Sequence, residues 1–460
     1  ETVDMWHAKF LHFYTKEIIS NIPKGSIYFG GTDPGRFAIT MGCSSHTKAD
    51  PFFTITQNAL ADATYLHYLR ELYGERIRMP TEDDNQNAFR LYLETAKKRL
   101  MANLLKPGED VTLVMQFQCP VNPIHSSTET YGRSNAQQLA QLEKDKAMPC
   151  RQCKLAGRET MIPLPEPRVQ VSGNTAVMEI NANLAKTILE KNSDHDFYLE
   201  ESFPLDWMKP YMVPHGLIFK LERKPLKELR PEHLAQSRKN WQKYMKLSVG
   251  DAVVKPETTV AELCQWVEAI HIKGNRDNFK GDALFLKGKK EVMEKSAFRK
   301  GSPFAEQKAF SKLRTAQANL FAWRLANTKD EKLKKEYAKE ADFAFRQAFA
   351  LGVINPEVVF QYVYFLNSSF DFENAKLLVR SFIKVNPNDN KEIGQILMLG
   401  ILTHEEKYWV KKQDFKKALS ATLEQAKLNK GRPILQSIQQ RIQEYQKIIN
   451  QKEPRQEPDD

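Results

Sequence analysis

The chain has 460 residues, 41% of them hydrophobic and 27% charged, with a formal net charge of +11. That length exceeds one ordinary hydrophobic core and predicts two or three domains. No run approaches the roughly 18 uninterrupted apolar residues of a membrane span. The 68 basic residues are interspersed with 57 acidic ones; this reads as a solvated, salt-laced helical surface and, without a recognition motif, excludes nucleic acid as the expected partner.

The sequence opens at Glu1 without methionine and without a basic-then-apolar signal region, the pattern of a processed protein or an excised domain. Residues 2–23 predict an amphipathic helix. Ser26 to Phe29 then form an apolar strand that stops at Gly30 and Gly31, where glycine takes positive φ at little cost. Thr32 or Asp33 caps the next helix, with Pro34 at its first position. A second unit follows, with a strand over Pro51–Asn58 and a helix over Ala59–Gly74. Two strand-turn-helix units in succession predict a parallel sheet.

A glycine-rich turn at the carboxyl end of a parallel strand is a natural ligand site, because backbone N–H groups and the helix dipole converge there. The segment GGTDPG nevertheless matches neither the dinucleotide fingerprint nor the phosphate loop, so it reads either as a ligand-facing turn or as a purely structural one. In the first reading the contacts are Gly30, Gly31, Thr32, Asp33, Gly35 and Arg36, with Asn58 at the end of the second strand. Glu200, Glu201 and His215 join them from further along the chain.

Residues 111–121 predict another strand and Ser134 to Lys146 a polar helix. Around Ser172-Gly173-Asn174 the pattern reads as a hairpin, followed by a helix over residues 181–192. Asp196 to Leu199 and residues 216–222 predict two more strands, separated by a Pro-punctuated aromatic stretch. Asp194 and Asp196 have the DxD spacing of some metal-dependent glycosyltransferases, but such triplets are frequent by chance and a solvated loop is the better explanation. Cys150 and Cys153 form a CxxC without the second pair that zinc needs, which leaves a local disulfide or two plain thiols. No metal or cofactor is expected.

Beyond Arg230 the β pattern gives way to long helical periods. Pro231–Met245 and Thr258–Ile272 read as separate helices, followed by a glycine- and lysine-rich connection. Ala341 then aligns with Ala375 and Leu351 with Val385, 34 residues apart, and Asn355-Pro356 recurs as Asn386-Pro387. That period, a small residue where paired helices touch, and a proline opening the next helix are tetratricopeptide logic. Residues 307–327 pair with 331–351, and 415–429 with 433–450, extending the stack. The expected architecture is an α/β Rossmann-like N-terminal domain over 1–230, a helical linker region over 231–300, an all-α tetratricopeptide-like helical-repeat domain over 301–450, and a polar tail over 451–460.

The segments FGGTDPGRF, TQNALADATYLHYLRELYG, FYLEESFPLDWMKPYMVPHGLIFKLERKP and FRQAFALGVINPEVVFQYV resemble the soluble C-terminal part of a bacterial multi-spanning membrane-protein family. That family is related to the animal transmembrane protein O-mannosyltransferases and has the glycosyltransferase C architecture. The resemblance runs from about residue 20 to about residue 400. It implies an extracytoplasmic, membrane-associated domain whose membrane-embedded partner half carries the lipid-linked sugar chemistry. The expected role is recognition of an acceptor protein or peptide on the helical-repeat face, without independent catalysis. A free-standing sugar- or nucleotide-acting enzyme using the crevice at Asp33, and a structural subunit of an envelope assembly, are the alternatives.

Overall fold

The computed structural model describes residues 8–30, 39–40, 42–43, 52–106, 108–120, 124–138, 141, 148–149, 160–163, 168–200, 205–249, 254–272, 305–353 and 355–452. The chain divides into two compact units, one made of residues 24–31 and 44–197, the other of 1–23, 32–43 and 198–460.

In the first unit, strands β1 (Ile27–Gly30) and β2 (Phe53–Thr56) are parallel, with Ile27 opposite Phe53 and Gly30 opposite Thr56. Every β1 residue is buried, as a strand covered on both faces requires. Among the described residues no strand pairs with the side of β2 away from β1. Tyrosines of the following helix take that role. The Tyr73 hydroxyl donates to the Thr54 carbonyl at 2.6 Å and accepts from the Thr54 amide at 3.1 Å, while the Tyr65 hydroxyl accepts from the Thr56 amide at 2.7 Å. A covered edge is closed to pairing with another chain.

That helix, α2, runs over Ala63–Tyr73. It begins later than the sequence pattern predicts, because Gln57–Ala59 form a 3-10 turn and Asp62 supplies the cap, accepting from the Thr64 and Tyr65 amides. Helix α3 (Glu82–Met101) is opened by a Thr81–Asp84 capping box. The expected strand over 111–121 is β3 (Asp110–Gln118), and it belongs to a second, antiparallel sheet. There β3 pairs with β4 (Ser126–Tyr131), β6 (Thr160–Pro163) and β7 (Arg168–Ser172), and β6 pairs with β5 (Met148–Pro149).

The hairpin expected around Gly173 is absent. Strand β7 passes directly into helix α4 (Asn174–Lys191), with Gly173 at φ 90° as the joint. The helical spacing of buried Ala176, Ile180, Leu184, Ala185 and Ile188 decides this, since the same turn residues serve either passage. Of the helix expected over 134–146, residues 136–138 and 141 are helical and most of the remainder lies outside the described residues.

The second unit contains helix α1 (Ala8–Ser20) and the antiparallel hairpin of β9 (Met212–His215) and β10 (Ile218–Leu221). There β8 (Phe197–Glu200), β10 and β9 are neighbours in that order. The α/β region thus contains both parallel and antiparallel strand pairs.

The rest of this unit is helical. Helices α5 (Pro231–Val249) and α6 (Val260–His271) precede α7 (Ala305–Asn327), α8 (Glu331–Leu351), α9 (Pro356–Ser368) and α10 (Phe372–Val385). Helices α11 (Pro387–Lys411), α12 (Phe415–Leu428) and α13 (Leu435–Lys452) complete it. Each helix from α7 onward packs on the next, and α9 also packs on both α7 and α11. Ala341 and Ala375 are fully buried, and Pro356 and Pro387 each open a helix as expected. The Phe345 and Tyr362 rings stack at 5.3 Å across the α8–α9 contact, and the Tyr362 hydroxyl donates to Asp342 at 2.7 Å.

Two helical hairpins have the same turn. Phe370 (φ 61°) precedes the cap Asp371, and Gln413 (φ 60°) precedes the cap Asp414. In each, the aspartate accepts from the amide three residues on, at Asn374 and Lys417.

Candidate functional site

Of the residues expected at the glycine turn, Gly30 is buried at the carboxyl end of β1. Gly31, Thr32, Asp33, Gly35 and Arg36, and likewise Glu201, lie outside the described residues. Cys150 and Cys153 do too. Asn58 shares the carboxyl end of the parallel pair with Gly30, because Gly30 sits opposite Thr56.

The backbone around Asn58 is clamped from α4. The fully buried Asn181 carboxamide donates to the Asn58 carbonyl at 3.0 Å and accepts from the Ala61 amide at 2.7 Å. Beneath it, Gln57 is fully buried and its carboxamide finds no hydrogen-bond partner among the described residues. Neither Gln57 nor Asn181 stood out in the sequence, since their environment depends on a helix more than a hundred residues away.

In the other unit, Glu200 ends β8 and is 2% exposed. It accepts from the Tyr14 hydroxyl of α1 at 3.5 Å, and burial first, then the Glu200 charge, raises the Tyr14 pKa well above its ordinary value. His215 ends β9 with its Nε2–H donating to the Asn21 carbonyl at 2.7 Å and its ring 5.1 Å from that of Tyr198. Both side chains thus tie strands to the N-terminal helix. Asp194 pairs with Arg78 at 2.7 Å, and that guanidinium holds the Asp194 carboxyl below the usual range. Among the described residues no three histidine, cysteine or carboxylate side chains gather as a metal site would require.

The helical region has a rigid interior and an incompletely covered exterior. Arg314 is fully buried, its Nε donating to Gln347 at 2.9 Å and its Nη1 to Gln317 at 3.0 Å, with the guanidinium 4.9 Å from the Trp241 ring centre. Burial lowers its pKa, and the cation–π contact offsets part of the cost of the buried charge. Gln317 also accepts from Trp241 Nε1–H at 2.6 Å, which locks α5 to α7.

On α9, the buried stripe Val358, Val359, Tyr362, Val363, Phe365 and Leu366 faces the neighbouring helices. Phe360 and Tyr364, one turn apart on the opposite side, are 54% and 69% exposed. On α11, Ile393 and Ile396 are also exposed. Exposed side chains of this kind contribute little to folding, and aromatic ones are enriched among the residues that carry protein–protein binding energy.

Comparison with family models, with characterised proteins and with solved structures finds no match.

Proposed function

We propose that this chain is the extracytoplasmic part of a membrane glycosyltransferase-like protein, in which the helical region recognises or positions an acceptor protein. On this reading the α/β region is Rossmann-like and the helices are tetratricopeptide-like repeats, stacked pairs that bury a shared core and leave a face for protein or peptide. The segment resemblance supports the membrane context, and the sugar chemistry belongs to a membrane-embedded partner half.

The observation that carries the recognition role is the Phe360–Tyr364 pair, two exposed aromatics on successive turns of a helix whose other side is packed. A rigid helix bearing two aromatic anchors loses little entropy on binding. The test is an array of peptides tiled from the extracytoplasmic proteins of the source organism, probed with the full chain. Capture of a defined peptide set, lost in the Phe360→Ala/Tyr364→Ala double variant that still folds, is the expected result. Capture of nothing, or capture unaffected by the double variant, contradicts it.

A further inference from the structure

The turn between α9 and α10 places a phenylalanine where the backbone favours glycine. Phe370 has φ 61°, a left-handed conformation that is an outlier for a bulky side chain. Its ring is nonetheless 51% exposed, so burial does not account for it.

Instead the ring lies on a shelf of other rings. Phe370 stacks on Tyr408 of α11 at 4.5 Å, and Tyr408 meets Trp409 edge-on at 4.8 Å. His404 stands 6.0 Å from Phe370, and Phe372 closes the back of the cluster at 5.6 Å from Tyr408. The same left-handed residue opens the other hairpin at Gln413, so the conformation belongs to the turn; position 370 differs in carrying an exposed ring there.

The charge left without an ion pair beside the shelf is basic. Lys407, Lys411 and Lys412 are exposed and make no ion pair among the described residues. The Lys412 ammonium lies 5.9 Å from the Tyr408 ring centre, and Lys417 lies 4.0 Å from that of Trp409 while pairing with Asp414 at 3.4 Å. The nearby carboxylates are engaged elsewhere. Asp371 and Asp414 cap helices, Glu373 and Glu405 hold Lys376, and Glu406 accepts from Arg441. With these carboxylates paired or capping, the C-terminal turns of α11 present the positive charge of Lys407, Lys411 and Lys412 to a partner.

We propose that the Phe370–Tyr408–Trp409 shelf, with Lys407, Lys411 and Lys412 beside it, binds an acidic peptide segment carrying an aromatic or large apolar side chain. The side chain lies on the free face of Phe370 and the peptide's carboxylates pair with the lysines. This rests on the reading of the helical region as a protein-recognition module and names a second contact point and the chemistry it selects.

The experiment is fluorescence anisotropy on the full chain with a fluorescein-labelled peptide of four Asp-Glu-Phe repeats, beside a Lys-Arg-Phe control. Expected is saturable binding of the acidic peptide alone, weakening with salt and at least about tenfold weaker in both Phe370→Gly and Lys411→Glu/Lys412→Glu. Glycine suits the backbone at 370, so Phe370→Gly should keep its thermal midpoint and the loss should reflect the ring. Absent binding, or binding equal in wild type and Phe370→Gly, overturns the proposal. So does sedimentation with phosphatidylglycerol vesicles that depends on Phe370 while the peptide fails to bind. If the acidic peptide fails while array peptides still require Phe360 and Tyr364, this shelf is wrong and the recognition role stands; if no peptide binds at all, both fall.

Discussion

Single residues divide into those whose role depends on neighbours in sequence and those whose role depends on distant ones. Phe370 is of the first kind in backbone and the second in side chain. A left-handed conformation costs an L-residue about 1–2 kcal/mol, and a stacked aromatic pair returns about 0.5–1.5 kcal/mol. The two nearly cancel, which is why Phe370→Gly separates binding from folding. Glu109 is of the second kind. It is buried and accepts from Arg99 Nε at 3.1 Å, the Lys106 amide at 2.9 Å and the Tyr92 hydroxyl at 3.2 Å. Burial works to raise its pKa, but the guanidinium and the two other donors outweigh it and hold the carboxyl below its ordinary 4.5. A depressed carboxylate pKa stabilises the fold above the unfolded value and loses that contribution as pH falls through the folded one. Glu109→Gln is therefore expected to cost about 3 kcal/mol at neutral pH, a difference that shrinks below pH 4.5. Urea unfolding of both proteins across pH 3 to 7 checks it; a constant difference would contradict the assignment.

Among elements, the last three helices are held by one carboxylate. Glu406 of α11 is 4% exposed and accepts from Arg441 Nε at 2.8 Å, Gln425 Nε2 at 2.7 Å and the Tyr445 hydroxyl at 2.9 Å. Burial first, then this carboxylate, pushes the Tyr445 pKa up to about 12. Removing the acceptor takes one partner each from the half-buried Arg441 guanidinium, the buried Gln425 amide and the Tyr445 hydroxyl, so Glu406→Ala should destabilise the chain's end by about 1–3 kcal/mol. Amide exchange should accelerate in 435–452 more than in the helices before α11; a uniform change along the helical region would show that Glu406 does not act locally. Elements also show where sequence reading works. The long helices of the C-terminal half, and the prolines that open α9 and α11, were legible because the 3.6-residue period and the missing proline N–H act within a few residues. Helix α3 escaped notice because its buried stripe is only Ala88, Tyr92, Ala96 and Leu100 on an otherwise polar segment. The false hairpin at Gly173 arose because a Ser-Gly-Asn turn opens a helix as readily as it joins two strands.

For the whole molecule, the passage from an α/β region to a helical one was legible as a change of period near Arg230, and the parallel β1–β2 pair followed from repeated strand-turn-helix order. Pairing in the second sheet was not, since β3 draws partners from across residues 126–172 and no local pattern encodes that register. The candidate site was less legible than the fold. Sequence motifs drew attention to the glycine turn and its carboxylates, whereas the exposed aromatics of α9 sit in an ordinary amphipathic pattern and stand out only once their neighbours are in place. The proposed recognition role places the protein-binding face on α9. Its most direct test is amide hydrogen exchange of the full chain with and without a peptide captured on the array. Protection concentrated in 356–368 is the predicted result, and exchange there unchanged by the bound peptide would contradict the account.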